Sequence, residues 1–237
     1  MIRIALVSSL VLTGTVVLGG CSSLLKSEAP PVQIYVLRAA ATPGKAATAE
    51  AQALDTARAA NAAAPNAARP GAMTPSSLQV PRPQADPGLA TELITLVRSD
   101  HRMDRYAASS WAGALPDVVE TLAIDTLRAS GNWASVHDAP SPFAADYLLQ
   151  ITIRRFEADY TSGSDVPKVY VTLDCTIARR VGRELITSFV AEGVADADEN
   201  RMSSVVAAFE KAANVALAAM AERSAAAIRT STGQSTP

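Results

Sequence analysis

The chain has 237 residues, a formal net charge of −2, 49% hydrophobic residues, 19% charged residues and only 5% aromatic residues. That balance lacks the basic surface of a nucleic-acid binder, and it leaves a core to be built mostly from Val, Leu, Ile and Ala. Two cysteines, Cys21 and Cys175, and two histidines, His101 and His137, are too few for a disulfide scaffold or a zinc site.

Met1-Ile2-Arg3 leads into an uncharged run from Ile4 to Gly20. The run is shorter than the ~20 apolar residues of a spanning helix and is broken by small and hydroxyl residues. It reads as a removable secretory signal over 1–20. Leu18-Gly19-Gly20-Cys21 resembles the bacterial lipobox, in which small residues let the extended backbone enter a peptidase cleft. The thiol then becomes a thioether to diacylglycerol, cleavage makes Cys21 the mature N-terminus, and each buried CH₂ adds ~0.8 kcal/mol to anchoring. Ser22, where an inner-membrane retention signal has Asp, favours export to the outer membrane. The alternative is an uncleaved anchor with an incidental cysteine. If Cys21 is lipidated, Cys175 has no partner and is expected to be buried.

Residues 21–38 form the lipidated N-terminus and a first strand, Gln33 to Arg38, after the punctuation Pro30-Pro31. From 39 to 76 the composition turns alanine-rich, with Pro43, Pro65, Pro70 and Pro75. Alanine favours helix, but no apolar stripe is present to dock one, so a flexible insertion is expected. A helix that binds a partner is the rival reading. The folded domain is expected over 77–228, with a disordered tail over 229–237.

Within that domain Leu78-Gln79-Val80 is a brief strand. Glu92 to Arg98 and His101 to Tyr106 make a hairpin around Ser99-Asp100. A helix follows, capped by Ser109 or Ser110, with Pro116 in its first turn. Leu115, Val118, Val119, Leu122, Ala123 and Leu127 supply its apolar stripe, and Gly131 stops it. Trp133 to His137 is a short strand and Asp146 to Tyr160 a long one. The alternation of the long strand slips at Arg154-Arg155-Phe156, which predicts a bulge. Val169, Val171, Leu173, Cys175 and Ile177 share one face of the next strand, so Cys175 points inward. Gly182 turns the chain into a strand from Glu184 to Ala195. A last helix runs from about Arg201 to Ala227, with Asn200 as cap and Val206, Phe209, Ala213, Leu217 and Met220 as stripe. The expected fold is α+β, a mainly antiparallel sheet with two long helices packed on one face.

Four segments in this order carry a resemblance: the lipobox with its nearby Tyr35-Val36-Leu37 strand, Arg105 to Val136, Ala145 to Tyr160, and Val206 to Glu222. Together they resemble the ABC-type transport auxiliary lipoproteins of the paraquat-inducible protein C type. The resemblance implies a lipid-anchored protein on the periplasmic face of a Gram-negative outer membrane, with no cofactor. It implies docking to a periplasm-spanning MCE-domain protein, an indirect link to an inner-membrane permease and ATPase, and lipid movement between membranes. It singles out Tyr106, Trp111, Pro116, Asp146, Tyr147 and Phe156 as signature or partner-interface positions. The 39–76 insertion departs from the family pattern, whose first two strands lie closer in sequence. A sheet edge or a homo-oligomeric surface could serve as the interface.

Enzymatic chemistry has little to work with. No serine sits in a Gly-x-Ser-x-Gly elbow, no Gly-rich phosphate loop is present, and the pair His101 and Asp104 reads as solvated surface. Trp111 has two readings, a partner anchor or a pin between helix start and sheet. Arg154-Arg155 likewise reads as a solvated strand face or as a contact for an acidic partner or headgroup. The functional alternative to transport is a structural lipoprotein of another envelope machine, for lipopolysaccharide or protein insertion.

Overall fold

The structure, a computed structural model, describes residues 31–40 and 76–233. Cys21, the signal over 1–20 and nearly all of the 39–76 insertion lie outside the described residues. The compact unit described below begins at Gln33.

Its elements are β1 (Gln33–Tyr35), β2 (Ser77–Val80), β3 (Gln84–Ala85), β4 (Leu93–Val97), β5 (Met103–Trp111), α1 (Leu115–Ala129), β6 (Ser135–Asp138), β7 (Tyr147–Asp159), β8 (Lys168–Arg179), β9 (Leu185–Asp196) and α2 (Met202–Gly233). The strands form one nine-stranded sheet, with β7 as its spine. Along one edge β7 pairs antiparallel with β8 over its whole length, Tyr147 opposite Arg179 and Asp159 opposite Lys168. Along its other edge β2, β3 and β4 follow one another as parallel neighbours, through Leu78–Tyr147, Gln84–Thr152 and Leu96–Ala158. Strand β9 adds antiparallel to β8. Strand β5 adds antiparallel to β4, and β1 and β6 close the sheet as parallel partners of β5 and β2.

The α+β architecture follows the sequence pattern. Tyr147, Leu149, Ile151 and Ile153 of β7 face the core, as do Val169, Val171, Leu173, Cys175 and Ile177 of β8. The slip after Ile153 is a real register shift between β7 and β8, so Phe156 returns to the inward face. The long pairings are antiparallel, while the several short parallel ones join strands far apart in sequence.

Three local expectations are corrected. Ser109 and Ser110 do not cap the first helix: β5 continues through them to Trp111, because β1 pairs with Ser109–Trp111 and β4 with Ser110. Helix α1 starts at Leu115 without a side-chain cap, with Pro116 in its first turn. Asn200 does not cap α2, since its Oδ1 accepts the Tyr160 hydroxyl at 2.8 Å. Helix α2 also runs past 228 to Gly233, because the chain holds no proline or glycine from Arg201 until that residue.

Helix α2 is long and apolar enough to cross a membrane by length and composition. Its packing makes it a core helix. Val205, Phe209, Ala212, Ala213, Ala216, Leu217 and Met220 are buried against the sheet, while Lys211, Glu222 and Arg223 are exposed. Of the expected stripe only Val206 is half-buried, and Val205 takes its place. The alanines let the helix approach very closely. A Cβ added to Gly193 of β9 would lie 1.9 Å from the Ala212 carbonyl oxygen.

Cys175 is 1% exposed, and burial pushes its thiol up to about 12 from the ordinary 9.0. The native thiol therefore stays neutral and shielded, and it is expected to react with an aqueous disulfide reagent only after unfolding. Between pH 9 and 12 the unfolded chain releases this proton while the folded chain keeps it. Stability is thus full below about pH 9 and falls as pH rises through that window. The phenol of Tyr106, also raised by burial, adds to the same alkaline loss. Urea melts at pH 8 and pH 10 should show a smaller drop for Cys175→Ala than for the parent.

Candidate interaction surfaces

The six positions singled out by sequence fall into three places. Trp111 and Phe156 meet in the core with Phe209 of α2. The Trp111 ring lies edge-on to Phe156 at 5.9 Å and to Phe209 at 5.2 Å, and the two phenylalanines stack at 5.3 Å. Trp111 is 2% exposed, so it joins the sheet to the C-terminal helix and presents no surface. Pro116 is buried in the first turn of α1.

Asp146 and Tyr147 stand where β7 begins. The Asp146 carboxylate accepts the Ser77 backbone N–H at 2.8 Å and the Ser77 hydroxyl at 2.7 Å. These bonds, the backbone one first, hold the carboxyl below the usual carboxylate range. The pair clasps the start of β2 to the start of β7. Tyr147 is buried, with the Arg179 guanidinium 5.7 Å from its ring centroid.

Tyr106 lies at the opposite end of the sheet, in an open cleft of about 670 Å³. Its hydroxyl is 2.9 Å from that of Tyr160. Because Tyr160 donates to Asn200, Tyr106 donates to Tyr160. The relay ties β5, the end of β7 and the entry to α2 together. It offers no activated nucleophile, since burial and the Tyr160 contact raise the Tyr106 phenol far above its ordinary value.

The two histidines are not brought together. His101 sits exposed in the β4–β5 turn with φ 62°, and His137 lies in β6 with its ring 5.5 Å from Phe143. Among the described residues no cluster of three His, Cys, Asp or Glu side chains could hold a metal ion. Arg154 and Arg155 are occupied by the protein's own acids. Arg154 pairs with Asp174 at 2.6 Å and Asp86 at 2.9 Å. Arg155 pairs with Glu157 at 2.7 Å and Asp159 at 3.0 Å, and lies 4.1 Å over the Tyr170 ring.

One apolar groove, of about 590 Å³, escaped the sequence reading. After β1 the chain crosses α2: Arg38 N–H donates to Glu210 at 3.1 Å, Ala40 N–H donates to Asn214 at 2.8 Å, and Asn214 donates back to the Arg38 carbonyl at 3.2 Å. Leu37 is thereby buried. This strap forms one wall, α1 forms the other with Val118, Thr121 and Leu122, and Ala112-Gly113 is the floor. Asp117 and Asp125 stand on the α1 rim. Asp117 is held by Arg82, which lowers its carboxyl, whereas Asp125 has no ion pair among the described residues. No local periodicity marks such a groove, because its walls, the strap after β1 and helix α1, lie far apart in the sequence.

A family model described as ABC-type transport auxiliary lipoprotein component matches residues 58–221. No curated protein matches the chain in sequence. Among solved structures, a protein from Xanthomonas campestris aligns with a TM-score of 0.66 at 20% identity, covering 85% of this chain and 99% of that chain. The crystal structure of an uncharacterized protein aligns with a TM-score of 0.52 at 15% identity, over 65% of this chain and 92% of that chain. At these identities the likeness is one of fold.

Proposed function

This chain belongs to the ABC-type transport auxiliary lipoprotein family, and from that membership we propose that it is a non-catalytic outer-membrane component of an MCE-type system moving lipids between membranes. The observation that carries the reading is the family match over most of the chain. The lipobox and the groove agree with it. In this reading Cys21 is the lipid handle, 21–38 the lipidated N-terminus and first strand, and 39–76 an Ala/Pro-rich insertion. The domain waits at the outer membrane and docks the far end of the periplasm-spanning MCE-domain protein, which leads to the inner-membrane permease and ATPase.

The groove between the Tyr35–Ala40 strap and α1 is the proposed docking place. Apolar side chains of the partner would fill its floor, and the unpaired Asp125 favours a basic residue there. The test is a mild-detergent affinity purification of the acylated protein from its own envelope, with mass spectrometry of the eluate. An MCE-domain protein is expected in the eluate of the parent. It should fall at least tenfold for Thr121→Trp, whose site is exposed and mid-groove, with an unchanged thermal midpoint. A lipopolysaccharide or protein-insertion machine in the eluate instead would replace the MCE assignment with the structural-lipoprotein reading. Equal recovery with Thr121→Trp would move the interface elsewhere.

A further inference from the structure

The end of the sheet where β7 begins carries a second feature. The β8–β9 hairpin turns there through Arg180-Val181-Gly182-Arg183, closed by a 2.8 Å bond from the Arg179 N–H to the Glu184 carbonyl. Gly182 and Arg183 both have positive φ, 79° and 53°, so the tip has a defined, tight shape. The Arg180 N–H donates to the Asp146 carbonyl at 2.9 Å, which binds the tip to the loop before β7. Ala144, Ala145, Tyr147, Arg179 and Val181 consequently line one shared cleft.

This end carries exposed apolar side chains together with arginines. Val181 is 88% exposed, Phe143 in the adjoining loop 66%, and Leu185 just past the turn 61%. Arg179, Arg180 and Arg183 flank Val181 in the hairpin tip. Arg180 is hydrogen-bonded to Gln79, and Arg179 is 3.2 Å from Glu184. Arg183 is exposed and has no ion pair among the described residues. Of the nearby acids Glu184 is paired with Arg179, Asp146 is a carboxylate hydrogen-bonded by Ser77, and Asp138 at the end of β6 has no ion pair among the described residues. The opposite end of the same strands exposes Asp165 and Asp198 without ion pairs among the described residues, beside Asp196 paired with Lys168 at 3.4 Å and Glu199 paired with Arg201 at 3.0 Å. A protruding apolar tip flanked by arginines suits a bilayer interface: the side chain enters the headgroup layer while guanidinium groups bind phosphates.

We propose that the β8–β9 tip, with Val181 and Phe143 as its apolar contacts and Arg179, Arg180 and Arg183 as its phosphate ligands, is a membrane-contact face for anionic phospholipids. It adds a second, orienting contact to the lipid handle proposed at Cys21 and needs no transport partner. The sheet would stand with its β8–β9 tip on the bilayer and its Tyr106 cleft facing away.

The test uses the full-length acylated protein with Val181→Cys carrying an environment-sensitive fluorophore. Cys175 is buried and acylation blocks Cys21, so the label goes to the introduced thiol. Asp165→Cys is the control at the far end. The protein is placed on vesicles of phosphatidylethanolamine with phosphatidylglycerol, or of phosphatidylcholine alone, with a lipid-borne quencher. The expected result is a blue shift and quenching at position 181 on the anionic vesicles. Position 165 should show neither, and most of the quenching should be lost with Arg179→Gln plus Arg183→Gln. Co-flotation without quenching at 181 would leave the tether intact and overturn the face. Equal quenching at both positions, or on both vesicle types, would also overturn it. So would shielding of position 181 only after envelope proteins are added, since that marks a protein interface. Failure to co-float would instead count against the lipid handle.

Discussion

Gly193→Ala is expected to lower stability by about 3 kcal/mol or more, as a small-to-large change that must move backbone. In a domain of this size each kcal/mol corresponds to roughly 2–4 °C in the thermal midpoint, so a drop of about 10 °C should be seen by calorimetry. The reason is geometric. The new Cβ would sit 1.9 Å from the Ala212 oxygen, 2.8 Å from the Ala216 nitrogen and 2.9 Å from the Ala212 carbonyl carbon. All three are backbone atoms of α2, so no side-chain rotation relieves the clash. The helix must lift off β9, and lifting it uncovers the alanine stripe and Phe209. Gly193→Val should leave little folded protein. Gly113→Ala is the control, since nothing lies within 4 Å of its added Cβ. A midpoint for Gly193→Ala within a degree or two of the parent would show that α2 and β9 are not in this close contact.

Phe156→Ala should cost about 3–5 kcal/mol, the range for a buried aromatic truncated in a core. Phe156 is 2% exposed and Phe209 0%, and both contact the Trp111 ring. Neighbours from β5, β7 and α2 cannot all collapse into the space left behind, so a cavity remains. A double-mutant cycle of Phe156→Leu with Phe209→Leu in urea should return a coupling of about 0.5–1.5 kcal/mol, the part of the stacked pair beyond buried area. Additive losses would show that the rings merely fill volume. This cluster also constrains functional genetics. Loss of activity on substituting Trp111 or Phe156 would report a damaged core, so the partner interface should be probed at exposed positions such as Thr121.

Much of the fold was legible because burial leaves a local period. β7 and β8 alternate along one inward face, the alternation slips where the bulge is found, and Cys175 falls on the buried side. The stripe of α1 from Leu115 to Leu127 and the run without helix breakers in α2 are signals of the same kind. Where the local signal was ambiguous, pairing decided. Ser109 and Ser110 look like helix caps in isolation, yet Gln33 and Leu93 bring strands to both sides of them and hold them extended. Asn200 looks like a cap until the Tyr160 hydroxyl is found on its side chain.

The sequence by itself determined the α+β class, the inward faces of the long strands, the family resemblance and Cys21 as the proposed lipid handle. Each of these rests on residues that are neighbours in the chain or repeat at a short period. Only the tertiary structure decided that Gly193 must have no side chain, that Trp111 meets Phe209, that the Tyr35–Ala40 strap and α1 enclose a groove, and that Phe143 and Val181 share one end of the sheet. Those pairs are separated by long stretches of chain. Such contacts are selected by close packing and backbone pairing across the core, and no local pattern records them.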